Sequence, residues 1–136
     1  EGFHTYFNVS DIKNVKITGL ENSVYTDKFD NFNRGIEKES IQIDGPFDRV
    51  YLNTSNDCYI EDENFNRVIT IKKSNSDSSV IWTPWKEKAL EMQDMGCDSE
   101  WRKMICVETA NLLENSIVIY PGISHSISTE YSVQEF

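Results

Sequence analysis

The sequence contains no apolar run that approaches the roughly 20 residues required for a transmembrane helix. Residues 1–4 show neither the basic start nor the following apolar stretch of a secretory signal peptide. Basic residues are few: 13 lysines and arginines stand against 23 aspartates and glutamates, which gives a formal net charge of −10. This balance argues against a nucleic-acid partner and against an anionic membrane. A small anionic substrate is still compatible with it, because two or three local basic residues suffice.

Cysteine is scarce as well. The chain has three, Cys58, Cys97 and Cys106, with no CxxC pair, so we expect neither a disulfide framework nor a zinc site. Unpaired thiols are typical of a reducing compartment, and they predict a cytoplasmic location. The Gly-rich phosphate loop, HExxH and GxSxG motifs are also absent from the sequence. Nucleotide-binding, zinc-protease and serine-hydrolase chemistry therefore has no support here.

What the chain does contain is a series of short apolar runs separated by polar turns. With 136 residues, 38% of them hydrophobic, it is long enough to bury a core as one domain, residues 1–136. Several runs alternate apolar and polar side chains, which is the pattern of half-buried strands. We predict an all-β, mainly antiparallel sandwich. The predicted strands are 3–9, 15–17, 40–43, 49–52, 68–71, 79–82, 104–107 and 116–120.

One segment differs from this β pattern. Residues 86–95 are good helix formers, and Gly96 follows them as a natural C-cap. Asp98 could then cap a short turn over residues 99–102. We therefore predict one short helical segment near residues 86–103 as a packed crossover in an otherwise β chain.

Two titratable residues are candidates for acid–base chemistry. His4 starts the first predicted strand, where a histidine most often has a structural role but can also donate a proton near neutral pH. Glu108 follows the apolar run 104–107. A carboxylate there either leaves the strand into solvent or sits in a partly apolar pocket. In the pocket its pKa would be tuned for a general base.

Two further residues are candidates for sugar binding. Asp27 is predicted to lie in a turn, where Asp is usually structural, but such a carboxylate can also accept hydrogen bonds from two neighbouring sugar hydroxyls. Trp82 and Trp85 flank a proline, and indole rings can stack on the apolar faces of sugars. Tryptophan pairs are nevertheless more often part of a core. None of these residues is decisive alone.

A series of short motifs runs in order along the chain, and together they are more specific than any one of them. The motifs are His4-Thr5-Tyr6-Phe7, Gly19-Leu20 with Tyr25-Thr26-Asp27, Phe47-Asp48-Arg49-Val50-Tyr51, Ser79-Val80-Ile81-Trp82-Thr83-Pro84-Trp85, Met92-Gln93-Asp94-Met95, Met104-Ile105-Cys106-Val107-Glu108 and Pro121-Gly122. In this order and spacing, from residue 4 to about residue 125, the chain resembles the hexose-6-phosphate mutarotases. These form the glucose-6-phosphate 1-epimerase branch of the aldose 1-epimerases.

The resemblance implies a fold, a reaction and a role for each candidate residue. The fold would be the C-terminal portion of a galactose-mutarotase-like β-supersandwich. The reaction would be interconversion of the α and β anomers of hexose 6-phosphates, without metal or organic cofactor. By motif match, His4 falls on the general acid, Glu108 on the general base and Asp27 on a carboxylate that holds sugar hydroxyls. Trp82 would contribute to substrate binding.

The resemblance also concerns what surrounds the chain. Family members are roughly twice this length, so we expect an absent N-terminal half to supply the arginines that bind the phosphate. We expect the full-length protein to be a monomer. Its partner would be a small-molecule hexose phosphate. Arg34, Arg49 and Arg102 do not match the phosphate site. Arg49, inside a strand motif, is expected to make a structural ion pair.

Two alternatives compete with the mutarotase. A non-catalytic carbohydrate-binding module of the same fold would use the tryptophans as a stacking platform and bind sugar without rate enhancement. A glycoside hydrolase would need two carboxylates at a defined separation, for which Asp27 and Glu108 could be proposed. The second alternative leaves the His-Thr-Tyr-Phe motif without a role.

Overall fold

Residues 1–95 and 99–136 of the chain are described by a computed structural model. Within these residues, twelve strands and one short helix, α1 (Trp85–Ala89), are joined by turns, three of which are 3₁₀ helical: Glu63–Phe65, Glu100–Lys103 and Leu113–Asn115. The strands are β1 (Gly2–Phe3), β2 (Tyr6–Asn8), β3 (Val15–Thr18), β4 (Val24–Asp27), β5 (Asn33–Ile36), β6 (Ile41–Gln42), β7 (Phe47–Leu52), β8 (Cys58–Asp62), β9 (Arg67–Ser74), β10 (Ser78–Thr83), β11 (Met104–Ala110) and β12 (Ser128–Glu135).

The strands form two antiparallel sheets. The larger has seven strands in the order β1-β11-β10-β7-β4-β5, and β2 pairs with β11 beside β1. The smaller has five strands in the order β12-β9-β8-β3-β6. The predicted all-β, mainly antiparallel sandwich is confirmed.

The hydrophobic core lies between the two sheets. Tyr51 and Ile81 from the larger sheet share one buried cluster with Ile17 and Ile60 from the smaller sheet. Each side chain is almost fully buried because alternate residues of a strand point to the same face. The opposite face of the larger sheet carries a second, smaller cluster around Val50. The larger sheet therefore has one face in the core and one face free to carry other chemistry.

The helical segment is shorter than the sequence predicts. α1 has five residues and is followed by turns, and Leu90 is exposed. Only Ala89 of the helix is buried, so packing supports little more than one turn, and short helices depend on packing for stability. The predicted caps Gly96 and Asp98 lie outside the described residues. No helix among the described residues is long and apolar enough to cross a membrane.

The prediction of a strand over residues 116–120 is wrong. The chain runs there without regular structure, and Ile117, Val118 and Ile119 are exposed. An alternating apolar pattern forms a strand only where a neighbouring strand takes its backbone hydrogen bonds. Within the described part of the chain no strand pairs with this segment. The last strand is instead β12, which the sequence analysis does not predict.

Strands β4, β5 and β8 are also missing from the predicted set. Asp27 is placed in a turn by the sequence analysis, whereas it is the last residue of β4. β4 and β5 form a hairpin that pairs with β7. In these strands apolar and polar residues do not alternate regularly, so the local sequence does not predict them. Their pairing depends on contacts with strands distant in sequence.

The ammonium group of Lys73 is partly buried in the sandwich, and its pKa is lowered. Its Nζ donates to Thr54 O, Ser78 O and Ser79 Oγ at 2.7, 3.0 and 2.8 Å. Burial lowers the pKa of Lys73 from 10.5 to about 8. In the folded chain, these three acceptors replace only part of the hydration that the ammonium group loses, so its charged form is less stable than in water.

We expect the free energy of unfolding to rise as the pH increases from 8 to 9. In this window the unfolded chain binds more protons at Lys73 than the folded chain, so the gain is on the order of 0.5–1 kcal/mol after allowance for solvent screening. The rise should end near pH 9, because burial raises the pKa of the Cys58 thiol to about 11 and also raises that of the Cys106 thiol, and both shifts act in the opposite direction. Urea unfolding at several pH values would measure it. A fall of stability between pH 8 and 9 would contradict this account of Lys73.

Candidate acid–base site

His4 and Glu108 occupy opposite positions on neighbouring strands. β1 and β2 pair with the same strand, β11, in one continuous register. His4 lies in the short gap between β1 and β2, outside the hydrogen-bonded ladder, and the register places it directly opposite Glu108. His4 Nε2 lies 3.3 Å from Glu108 Oε1. Two candidates 104 positions apart in sequence are thus brought together by strand pairing.

Aromatic rings surround the histidine. The His4 ring stacks on Tyr6 with 5.0 Å between ring centroids, and it meets the edge of Trp82 at 5.6 Å. The His4 side chain is 53% exposed, whereas that of Glu108 is 12% exposed. The carboxylate of Glu108 is therefore mostly buried in the sheet, whereas the His4 ring projects from the open sheet face. A cavity of about 630 Å³ adjoins Tyr6, but neither member of the pair lines it.

Burial raises the pKa of the Glu108 carboxyl above its ordinary value. The charges of His4 and Lys28 act in the opposite direction, and the charge of Asp48 adds to the rise. A carboxylate with a raised pKa is a stronger base than one in water. Glu108 is therefore a stronger base than a fully solvated carboxylate.

Asp48 is a residue of this face that the sequence analysis missed. It pairs with Trp82 across β7 and β10, so its side chain points to the same face as that of Trp82. The ammonium group of Lys28 lies 3.0 Å from Asp48 Oδ1. Among the described residues no donor makes a well-directed hydrogen bond to this buried oxygen. Alternation along β7 from the buried Val50 was the signal that could have placed Asp48 here.

Asp27 lies on the other face of the same sheet. It pairs with Arg49 across β4 and β7, in a row that continues to Val107. Glu108 belongs to the neighbouring row, and successive residues of a strand point to opposite faces. The structure does not bring Asp27 to the His4–Glu108 pair, which also separates the two carboxylates considered for a glycoside hydrolase. The sugar-binding role of Asp27 stays a prediction.

Asp27 takes part instead in a charged network. Its Oδ2 accepts from Arg49 Nε at 2.9 Å, and Arg49 Nη1 donates to Glu37 Oε2 at 3.0 Å. The hydroxyl of Tyr51 donates to the same Glu37 oxygen at 2.8 Å. The guanidinium group also lies 4.2 Å from the ring centroid of Tyr25. The prediction of a structural ion pair at Arg49 is confirmed.

The two tryptophans of the 79–85 motif have different surroundings. Trp82 is half-buried beside His4 on the open face, where it is available for stacking. Trp85 packs on Trp101 with 4.7 Å between ring centroids, next to the main core. Thr83 Oγ1 accepts from Trp85 N at 3.3 Å and orients the start of α1. Only Trp82 is placed to contact a ligand at the His4–Glu108 pair.

Cys106 adds a third potential ligand atom to this group. It lies two residues before Glu108 on β11, on the same face, and it is a free and fully buried thiol. His4, Cys106 and Glu108 each offer one potential metal-ligand atom, and these three atoms lie within 4.8 Å of one another. The site can therefore hold a proton between an acid and a base, and it also contains a set of donors suited to a metal ion.

Comparison with known proteins identifies relatives along almost the whole chain. Residues 2–132 match the family model described as aldose 1-epimerase. The chain is 37% identical over 121 residues to a candidate glucose-6-phosphate 1-epimerase of Cenchrus ciliaris, covering 88% of this chain and 36% of the relative. It is 35% identical over 123 residues to a candidate glucose-6-phosphate 1-epimerase of Escherichia coli strain K12, covering 90% of this chain and 41% of the relative.

A solved structure agrees with these sequence matches. A candidate mutarotase from Salmonella typhimurium aligns with a TM-score of 0.74 at 34% identity, covering 79% of this chain and 36% of that one. The predicted galactose-mutarotase-like sandwich is thereby confirmed. The chain spans 36% and 41% of the length of the two curated relatives described above.

Proposed function

This chain belongs to the aldose 1-epimerase family, and we propose that it supplies the acid–base pair that interconverts the α and β anomers of hexose 6-phosphates. The observation that carries the proposal is the 3.3 Å separation of His4 Nε2 and Glu108 Oε1. In a cyclic sugar the anomeric hydroxyl and the ring oxygen are both bonded to C1. An acid and a base that act on them must therefore lie within a few ångström of each other.

Ring opening moves two protons. Glu108, as a carboxylate, takes the proton of the anomeric hydroxyl while His4 donates a proton to the ring oxygen O5. The C1–O5 bond breaks with its electron pair on O5, and C1 becomes an aldehyde carbon. Rotation about the C1–C2 bond then presents the other carbonyl face, and the two residues exchange roles as the ring closes. One acid and one base complete this cycle, so the proposal includes no metal or organic cofactor.

The surroundings of the pair support these roles. Burial raises the pKa of Glu108, which strengthens it as a base, while the half-exposed ring of His4 can reach a ligand above the sheet. Trp82 offers an aromatic surface for the apolar face of the sugar. The side chain of Asp48 points to the same face as Trp82, where the carboxylate can accept a hydrogen bond from a sugar hydroxyl, and Lys28 pairs with it at 3.0 Å.

The choice of a hexose 6-phosphate rests on the relatives, two of which are named as candidate glucose-6-phosphate 1-epimerases. Because the chain spans less than half of their length, other parts of such a polypeptide would contribute to phosphate binding. A cytoplasmic location fits the same proposal, since Cys58 and Cys106 are free thiols.

The test is mutarotation of freshly dissolved α-glucose 6-phosphate, followed by polarimetry or NMR. The natural polypeptide that contains this chain should accelerate equilibration, and it should act faster on glucose 6-phosphate than on glucose. Equal rates on the two sugars would remove the phosphate specificity and leave the epimerase. Sugar binding without any acceleration by the folded polypeptide would favour the binding module instead.

Asp48→Asn is expected to lower kcat/KM for mutarotation by roughly 10- to 100-fold. A hydrogen bond to a charged acceptor contributes about 1.5–3 kcal/mol, and the amide loses the charge. Steady-state mutarotation of glucose 6-phosphate would measure the loss. Asp44→Asn, on an exposed turn, is the matched control and should keep the full rate. Equal rates for both variants would show that Asp48 does not contact the sugar.

A further inference from the structure

We propose that His4, Cys106 and Glu108 form a binding site for Zn²⁺, and that bound Zn²⁺ inhibits proton transfer by His4 and Glu108. The site is a convergence of one nitrogen, one sulfur and one oxygen within 4.8 Å on a single sheet face. The binding part of the proposal stands on this geometry alone. The inhibitory part rests on the function proposed above.

The three donors are those that Zn²⁺ prefers in proteins. Zinc binds imidazole nitrogen and carboxylate oxygen at about 2.0–2.2 Å and thiolate sulfur at about 2.3 Å, mostly in tetrahedral geometry. Ligand atoms around such an ion are therefore about 3.3–3.7 Å apart. His4 Nε2 and Glu108 Oε1 already have this spacing at 3.3 Å. The remaining adjustment is a small rotation of side chains, which the half-exposed ring of His4 allows.

The fold explains how these donors meet. Cys106 and Glu108 are two residues apart on β11, so their side chains leave the same face of the strand. His4 reaches them from the gap between β1 and β2, which is the only part of that neighbouring strand not held by the ladder. The cysteine spacing in the sequence does not predict this site, because its ligands come from two strands and from three residue types.

The charges around the three donors are compatible with a cation. Glu108 and Asp48 contribute two carboxylates on this face, and Lys28 is paired with Asp48 at 3.0 Å. The chain as a whole carries a formal net charge of −10, which attracts cations over longer distances. A bound Zn²⁺ would gain mainly from the carboxylate of Glu108, since Lys28 already neutralises that of Asp48.

Binding would change the chemistry of each donor. Cys106 would release its thiol proton to solvent and bind as a thiolate. His4 would give its Nε2 lone pair to the ion and lose its role as proton donor. Glu108 would give its charge to the ion and lose its strength as a base. Zinc would therefore compete with ring opening at the residues that catalyse it, with the fourth position of the ion open toward solvent or sugar.

The test uses Co²⁺ as a spectroscopic replacement for Zn²⁺, with the natural polypeptide that contains this chain, in buffer with a phosphine reductant. Titration should give one bound Co²⁺ with the ultraviolet charge-transfer absorption of a cobalt–thiolate bond, and Zn²⁺ should displace it. Cys106→Ser should abolish the absorption. His4→Ala should weaken affinity by at least about 100-fold, because loss of even an outer-shell partner costs 10- to 100-fold.

Cys58→Ser is the matched control, since Cys58 is also a free, buried thiol but lies on the smaller sheet. This variant should keep the absorption. An absent thiolate band, or one that survives Cys106→Ser, would overturn the proposal. His4→Ala changes an exposed residue outside the ladder, so it keeps the test valid if Cys106→Ser folds poorly. Metal binding without mutarotase activity would instead contradict the proposed function and leave the zinc site intact.

Discussion

Glu108→Gln is expected to slow anomer interconversion by about 10²- to 10⁴-fold, the usual contribution of a positioned general base. Glutamine has nearly the same size and fills the same half-buried position, but its amide cannot accept the proton of the anomeric hydroxyl. Because burial raises the pKa of Glu108, its ionised form is unfavourable in the fold. The variant should therefore be at least as stable as the wild type at neutral pH. Mutarotation kinetics and urea unfolding would measure the two effects.

Two comparisons make this result specific. Glu61→Gln removes a carboxylate from the smaller sheet, where Glu61 pairs with Lys16, and it should keep the full rate. His4→Ala should cause a loss similar to that of Glu108→Gln. The double variant should be little slower than either single one, because the acid and the base act in the same step. Wild-type rates in the His4 and Glu108 variants would exclude these two residues from the chemistry.

Arg49→Met is expected to lower the free energy of unfolding by about 3 kcal/mol. The change leaves the carboxylates of Asp27 and Glu37 partly buried without their cation, and breaking such a pair costs far more than the pair itself contributes. Tyr51 would still donate a hydrogen bond to Glu37. Urea unfolding of the natural polypeptide that contains this chain would give the value.

Arg34→Met is the matched control for Arg49→Met. Arg34 pairs with Glu114 on the surface, where both side chains are exposed, so its loss should change stability by less than about 1 kcal/mol. A loss of less than about 1 kcal/mol in Arg49→Met as well would contradict the structural role of Arg49. If Arg49 instead bound phosphate, KM would rise for glucose 6-phosphate and stay constant for glucose.

The sequence identifies some residues of the site and does not identify others. His4 and Glu108 are identifiable because each stands beside an apolar run and each matches an ordered motif. Asp48 lies in a matching motif as well, but the motif alone does not show that its side chain points to the face of His4 and Glu108. Asp27 also lies in a matching motif, but the sheet places it on the core-side row, away from His4 and Glu108. Which face a strand residue occupies depends on the pairing of the whole sheet.

Sequence alone determined the sandwich class, most of its strands, the candidate acid and base, and the resemblance that the family match confirmed. These follow from local alternation and from the order of short motifs, which need no knowledge of contacts. Tertiary structure decided the 3.3 Å approach of His4 to Glu108, the place of Asp48, and the loss of the strand at 116–120. Strand pairing between residues distant in sequence sets the first two features, and the third follows because a strand forms only where a partner strand takes its backbone hydrogen bonds.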